Sequence, residues 1–270
     1  MKETVYHISA PAHYSIALLA DTHNTDPAPI LASLQVRRPD IVAIAGDILI
    51  GYRPESDNLI VESQENVLPL VSGCAAIAPT FISFGNHEWM ISSEDVEVLE
   101  RTGAVVLDNR FTTHTMNGKS MVIGGLTSAI VTNFQQFREK EGGRYPYRPR
   151  RSHPTYMDVE DVWLSDFEKQ NGYKVLLCHH PEYWSLRAPE LHEHLIDLVL
   201  SGHAHGGQMR LFGHGLYAPG QGWLPEFTSG MYKGENGSLV ISRGLANTAS
   251  PVPRIFNEPE IVYVEVGKDG

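Results

Sequence analysis

Ile41-Val-Ala-Ile-Ala-Gly-Asp47 is an unbroken apolar run that meets glycine and then a carboxylate. A continuous run of Ile, Val and Ala predicts a strand buried on both faces, because a half-exposed strand would alternate with polar residues. The same pattern recurs along the chain. Leu18-Leu-Ala20 runs into Asp21-Thr-His23, and Ile82-Ser-Phe84 into Gly85-Asn-His-Glu88. Leu176-Leu-Cys178 runs into His179-His180, and Leu198-Val-Leu-Ser201 into Gly202-His-Ala-His205. Five buried strands therefore end in metal-type ligands, at the edge where open α/β sheets place their active sites. Asp21 and His23 stand two apart, as do His203 and His205, so an extended backbone can turn each pair the same way.

Working outward, strands are expected over Tyr14–Ala20, Ile41–Ala45, Thr80–Phe84, Tyr173–Cys178, Ile196–Leu200, Leu239–Arg243 and Ile261–Val266. Two more, about Ala104–Leu107 and Ser120–Gly124, are read as joined by a hairpin turn at Asn117-Gly118. Helices are expected over Ala28–Arg38, in a long amphipathic stretch about Asn58–Ala76, over Ser93–Thr102 and over Val159–Gln170. Ser92 would cap the Ser93 helix and Gly103 would stop it. Apolar strands alternating with helices predict an α/β sandwich of two sheets, with residues 1–270 as one domain and a loop insertion at about 138–157.

Composition narrows the function classes. The chain has 270 residues, 42% of them hydrophobic, enough for a sizeable core without disulfides. A net charge of −11 argues against a nucleic acid duplex or an anionic membrane as partner. The two cysteines, Cys74 and Cys178, are too few for a disulfide framework and predict a reduced, cytoplasmic protein. No apolar run is long enough for a membrane span, and Met1 to His13 does not read as a signal peptide.

The ordered set D-x-H, G-D, G-N-H-E, H, G-H-x-H resembles the calcineurin-like metallophosphoesterase family, over about Tyr14 to Val266. Leu200-Ser-Gly-His-Ala-His-Gly-Gly-Gln-Met-Arg210, with Leu216–Gly222 and Thr228–Tyr232, is similar to the bacterial branch of YkuE- and YaeI-type phosphodiesterases. The resemblance implies an α/β/β/α four-layer sandwich of two mixed sheets flanked by helices. It implies two divalent ions, Mn²⁺ first, with Fe or Zn²⁺ as alternatives. Asp21, His23, Asp47 and His205 would hold one ion; Asp47, as bridge, with Asn86, His179 and His203 would hold the other. A shared carboxylate reduces the repulsion of two cations ~3.5–4 Å apart. A tyrosine three residues after the bridging Asp would mark a purple acid phosphatase; Ile50 stands there instead.

In the implied reaction a metal-bridging hydroxide attacks phosphorus in line and His87 assists the leaving group. Glu88 either orients His87 or caps the helix that follows. His180 either reaches substrate, supports a ligand, or is an exposed loop histidine. The basic, aromatic stretch Arg144–Arg151, with Arg148, is either a lid over a small phosphoester substrate or a solvated loop. Trp223, Phe227 and Tyr232 either line an apolar wall or pack their own loop. A diesterase is favoured by the branch. A phosphomonoesterase, a nucleotide-sugar or lipid pyrophosphate hydrolase, and a non-catalytic scaffold are its alternatives.

Overall fold

The computed structural model describes residues 1–11, 13–51, 59–116, 118–128, 162–185, 191–219, 221–246 and 253–267. Two six-stranded mixed sheets face each other. The first runs β1 (Lys2–Ser9), β16 (Glu260–Gly267), β2 (Tyr14–Leu19), β3 (Ile41–Ala45), β4 (Thr80–Ser83) and β5 (Val105–Val106). Only the β16–β2 pairing is antiparallel. The second runs β14 (Gly230–Lys233), β15 (Ser238–Ile241), β9 (Leu198–Ser201), β8 (Tyr173–Cys178), β7 (Lys119–Leu126) and β6 (Arg110–Met116), parallel from β15 through β7. Two short ladders follow β9: β10 (Arg210–Leu211) with β11 (His214–Gly215), and β12 (Tyr217–Ala218) with β13 (Gly222–Trp223).

The period-2 alternation of the buried strands builds the layers. Ile16 and Leu18 of β2, Ile41 and Ala43 of β3, Val175 and Leu177 of β8, and Leu198 and Leu200 of β9 meet between the sheets. The alternate residues of β2 and β3, among them Leu19 and Ile44, pack against α1 (Ala28–Arg37), α2 (Val67–Ile77) and α3 (Ser93–Arg101). Leu176, Cys178 and Val199 face the other way, against Leu164 and Phe167 of α4 (Val162–Glu168). The architecture is the expected helix, sheet, sheet, helix sandwich. No helix of the described residues is long and apolar enough to cross a membrane.

Several boundaries differ from the sequence expectation. The hairpin at Gly118 does not join β5 to β7, since β5 belongs to the first sheet; its first arm is β6, paired antiparallel with β7. Arg-Phe-Thr-Thr-His-Thr-Met carries polar residues on an edge strand, so no apolar run announces it. β1, mostly exposed at the other sheet's edge, is hidden for the same reason. α2 starts at Val67, where Pro69 in its first turn is tolerated, and not at Asn58, which lies outside the described residues. Ser92 does cap α3, with Asp95 returning the bond to the Ser92 amide. Phe227 is buried and packs against Tyr232, whereas Trp223 is 75% exposed. Asn117, the 138–157 insertion and Arg148 lie outside the described residues.

Leu200 is fully buried between the sheets, one residue before the strand gives way to the site loop. Leu200→Ala is expected to cost about 2–5 kcal/mol of stability, read from urea unfolding, because the sheets cannot collapse around the lost volume.

Candidate metal centre

The five ligand-bearing loops leave the ends of β2, β3 and β4 on one sheet and β8 and β9 on the other. Backbone bonds extend the sheet pattern into the loops: Asp21 N–H donates to Gly46 O, His23 N–H to Asp47 O, and Gly202 N–H to His179 O. Asp21, His23, Asp47, His203 and His205 all have φ between +40° and +66°. That left-handed region costs a residue with a Cβ roughly 1–2 kcal/mol, so the tertiary structure imposes it here. Gly46 has no such choice: a Cβ there would lie 2.5 Å from the Gly85 amide nitrogen.

Asp47 is the hub. Its Oδ1 accepts the His87 amide at 2.8 Å, leaving Oδ2 at 3.1 Å from His179 Nε2, 3.7 Å from His23 Nε2 and 3.9 Å from His87 Nε2. Asp21 Oδ1 lies 3.5 Å from His205 Nε2 and 3.9 Å from His179 Nε2, and the carboxylate accepts the His203 amide. Three ligand-type atoms come within 4.8 Å of one another in Asp21–His23–His205, in His23–Asp47–His87 and in Asp47–His179–His203. His23 Nδ1 is held by Leu49 O at 2.8 Å and His179 Nδ1 by Ala45 O at 2.7 Å, which places a proton on each Nδ1 and turns each Nε2 toward Asp47. Nε2 of His23 and Oδ1 of Asn86 are buried with no hydrogen-bond partner among the described residues, whereas Nε2 of His179 faces Asp47 Oδ2.

The buried carboxylates and imidazoles shift one another's protonation. Burial pushes the His23 imidazole down to about 4 and that of His205 to about 3, the latter helped by the Arg254 charge. Burial also disfavours charge on His179, but the Asp47 and Asp21 carboxylates outweigh it and raise the ring to about 10. The His179, His87 and His23 rings in turn hold Asp47 well below the usual carboxylate range against its own burial. Asp21, with burial and the Asp47 charge against its anion, goes up.

Glu88 caps the 3₁₀ turn Asn86–Met90 that it belongs to, by accepting the Gly85 amide, and it also reaches the loop after β3. Its buried carboxylate accepts the amides of Gly85 (2.7 Å), Asp47 (2.8 Å) and Leu49 (3.0 Å), clamping the Asp47 and Asn86 loops together. Burial and the Asp47 charge push its carboxyl up to about 7, although the backbone bonds favour the anion. His180 is buried and not an exposed loop residue; its Nε2 meets Ser128 Oγ at 2.8 Å and its ring lies against Tyr183. Two residues had no signal in the sequence. Glu182 forms a buried cluster with His180 and His203, and Arg254 Nη2 sits 3.3 Å from His205 Nδ1.

A sandwich of two mixed sheets with a buried His/Asp centre at their strand ends is the arrangement the resemblance implies. The family profile of calcineurin-like phosphoesterases matches residues 14–207, and the chain belongs to that family. It is 28% identical to a Caenorhabditis elegans metallophosphoesterase over 95% of this chain, and spans about half, 49%, of that relative. It is 24% identical to the metallophosphoesterase YkuE of Bacillus subtilis (92% of this chain, 77% of YkuE). It is 25% identical to the phosphodiesterase YaeI of Escherichia coli (74% and 63%). Among solved structures, a dimetal phosphatase from Danio rerio shares the fold at a TM-score of 0.51 and 10% identity, over 87% of this chain and 88% of that one. The Plasmodium protein GAP50, an anchor in the inner membrane complex, does so at 0.50 and 11% identity (96% and 82%).

Because His179 holds a proton up to about pH 10, an ion entering at that ring must displace it. Mn²⁺ affinity is therefore expected to rise as pH rises toward that value, with about one proton released per ion at the His179 position. Calorimetry in buffers of different ionisation enthalpy reads that proton directly. Glu88→Gln is expected to lose about 2–4 kcal/mol in urea unfolding, since it turns an amide group toward backbone N–H donors and removes the charge they bond.

Proposed function

We propose that the chain is a dinuclear metal-dependent phosphodiesterase, acting as a single domain over residues 1–270. The convergence of buried imidazole nitrogens from both sheets on the Asp47 carboxylate carries this reading. The donor set of carboxylate, amide and imidazole fits Mn²⁺, Fe or Zn²⁺ better than Ca²⁺ or a thiolate-bound ion, with Mn²⁺ placed first. Asp21, His23, Asp47 and His205 would hold one ion; Asp47, Asn86, His179 and His203 would hold the other. Two such ions, when bound, supply Lewis acidity at a phosphoryl oxygen and an acidified water for in-line displacement.

The chain's own residues supply the rest. The His87 side chain is 30% exposed, whereas those of Asp47 and His179 are buried, so it stands at the solvent side of the centre. The Gly51 amide donates to His87 Nδ1 at 3.0 Å, so the neutral ring carries its proton on Nε2, the nitrogen that faces Asp47. Taking a second proton at Nδ1, which gives up the Gly51 bond, would make the ring a general acid able to deliver its Nε2 proton to a leaving oxygen. Arg254 places a guanidinium beside His205, where it adds positive potential for a phosphoester anion. The name of the relative YaeI favours a diester. A phosphomonoesterase and a nucleotide-sugar or lipid pyrophosphate hydrolase use the same centre. GAP50 shares the fold and is an anchor, but the complete ligand set here, with His87, favours catalysis.

Mn²⁺-supplemented chain is expected to hydrolyse bis(p-nitrophenyl) phosphate faster than p-nitrophenyl phosphate, and to stop in chelator. His87→Ala should lower that turnover by about 10²–10⁴ with metal content kept, whereas Asp47→Asn should lose metal and turnover together. Loss of metal from His87→Ala would contradict its assignment as the acid.

A further inference from the structure

After β8 the chain passes through His179 and His180 into the short 3₁₀ turn Pro181–Trp184. The turn directs Glu182 inward, where only 8% of its side chain is exposed. Its Oε1 lies 3.3 Å from His180 Nδ1 and 3.8 Å from His203 Nε2, and neither carboxylate oxygen has a hydrogen-bond partner among the described residues. The His203 ring stands edge-on to His180 at 4.3 Å and to His179 at 5.1 Å. It belongs both to this cluster and to the one with Asp47 and His179. His180 is in turn fixed from outside, by Ser128 Oγ and by the Tyr183 ring.

A buried carboxylate is stable only when something cationic or N–H-bearing faces it. A histidine that ligates an ion through one ring nitrogen carries a proton on the other, and that N–H needs an acceptor. The two requirements meet between Glu182 and His203. We propose that Glu182 is a positioning residue for the second ion: its carboxylate accepts the Nε2–H of His203, with His180 braced alongside, so that His203 presents Nδ1 to the metal. The inference rests on the reading of His203 as a ligand. It gives the carboxylate, which nothing in the implied ligand set uses, a role in selecting the ring tautomer.

The test compares the full-length wild-type chain with Glu182→Ala and Glu182→Gln, titrating Mn²⁺ by calorimetry. Two ions should bind to wild type. Glu182→Ala should weaken one of them by about 10–100-fold and leave the other unchanged, and Glu182→Gln, which keeps an acceptor oxygen, should recover most of the loss. Long-range proton–nitrogen NMR of Cd²⁺-loaded wild type should place the His203 ring proton on Nε2, a readout that stands even if a variant fails to fold. Unchanged affinities in Glu182→Ala, or a His203 proton on Nδ1 of the loaded chain, would overturn the proposal. So would a third ion on wild type that Glu182→Ala removes, because the carboxylate would then be a ligand itself. Fewer than two ions on wild type would instead sink the dinuclear reading, and this proposal with it.

Discussion

The structure turns on one buried carboxylate. Asp47 is 1% exposed, and its Oδ2 is surrounded by three imidazole nitrogens between 3.1 and 3.9 Å away. A charge so far from water is tolerable only with positive charge beside it, supplied by a proton on His179 or by a cation. Everything nearby serves to keep that carboxylate in place. Its Oδ1 is tied to the His87 amide, its own amide to Glu88, and its carbonyl to the His23 amide.

The fold makes such a centre affordable. Strands of two sheets, locked by a dry interior of Ile, Leu and Val, end at the same side, so the residues that follow them meet there. Each loop then turns at once, and five of the seven proposed ligands take left-handed backbone conformations to do it. Asp and His adopt that geometry more readily than most residues, but it remains uncommon for any residue with a Cβ. It persists because the strands that lead into the loops are buried and the loop amides are bonded to neighbouring loops. The strain thus lies where the chemistry is, and the cohesion that supports it lies in the sheets.

The central strands and the polar residues that end them were legible because both depend on local sequence. An unbroken apolar run reports burial on two faces, and the polar residue after it reports the strand's end, as at Ala45-Gly46-Asp47 and Cys178-His179. The edges were not legible. β1 and β6 have one exposed face and mixed composition, so they resemble loops until their partners β16 and β7 are known. The capping bond of Glu88 to Gly85, three residues away, is local, but its bonds to the Leu49 and Asp47 amides, 39 and 41 residues away, have no signature in the sequence. Glu182 and Arg254 carry no motif of their own; their significance arises from tertiary neighbours, His203 for one and His205 for the other.

The most direct measurement is a crystal structure of the Mn²⁺-soaked chain with anomalous scattering recorded at the manganese edge. The account requires two peaks ~3.5–4 Å apart, both within ligand distance of the Asp47 carboxylate, with His179 and His203 on one and His23 and His205 on the other. A single peak, or peaks that leave Asp47 unligated, would contradict it.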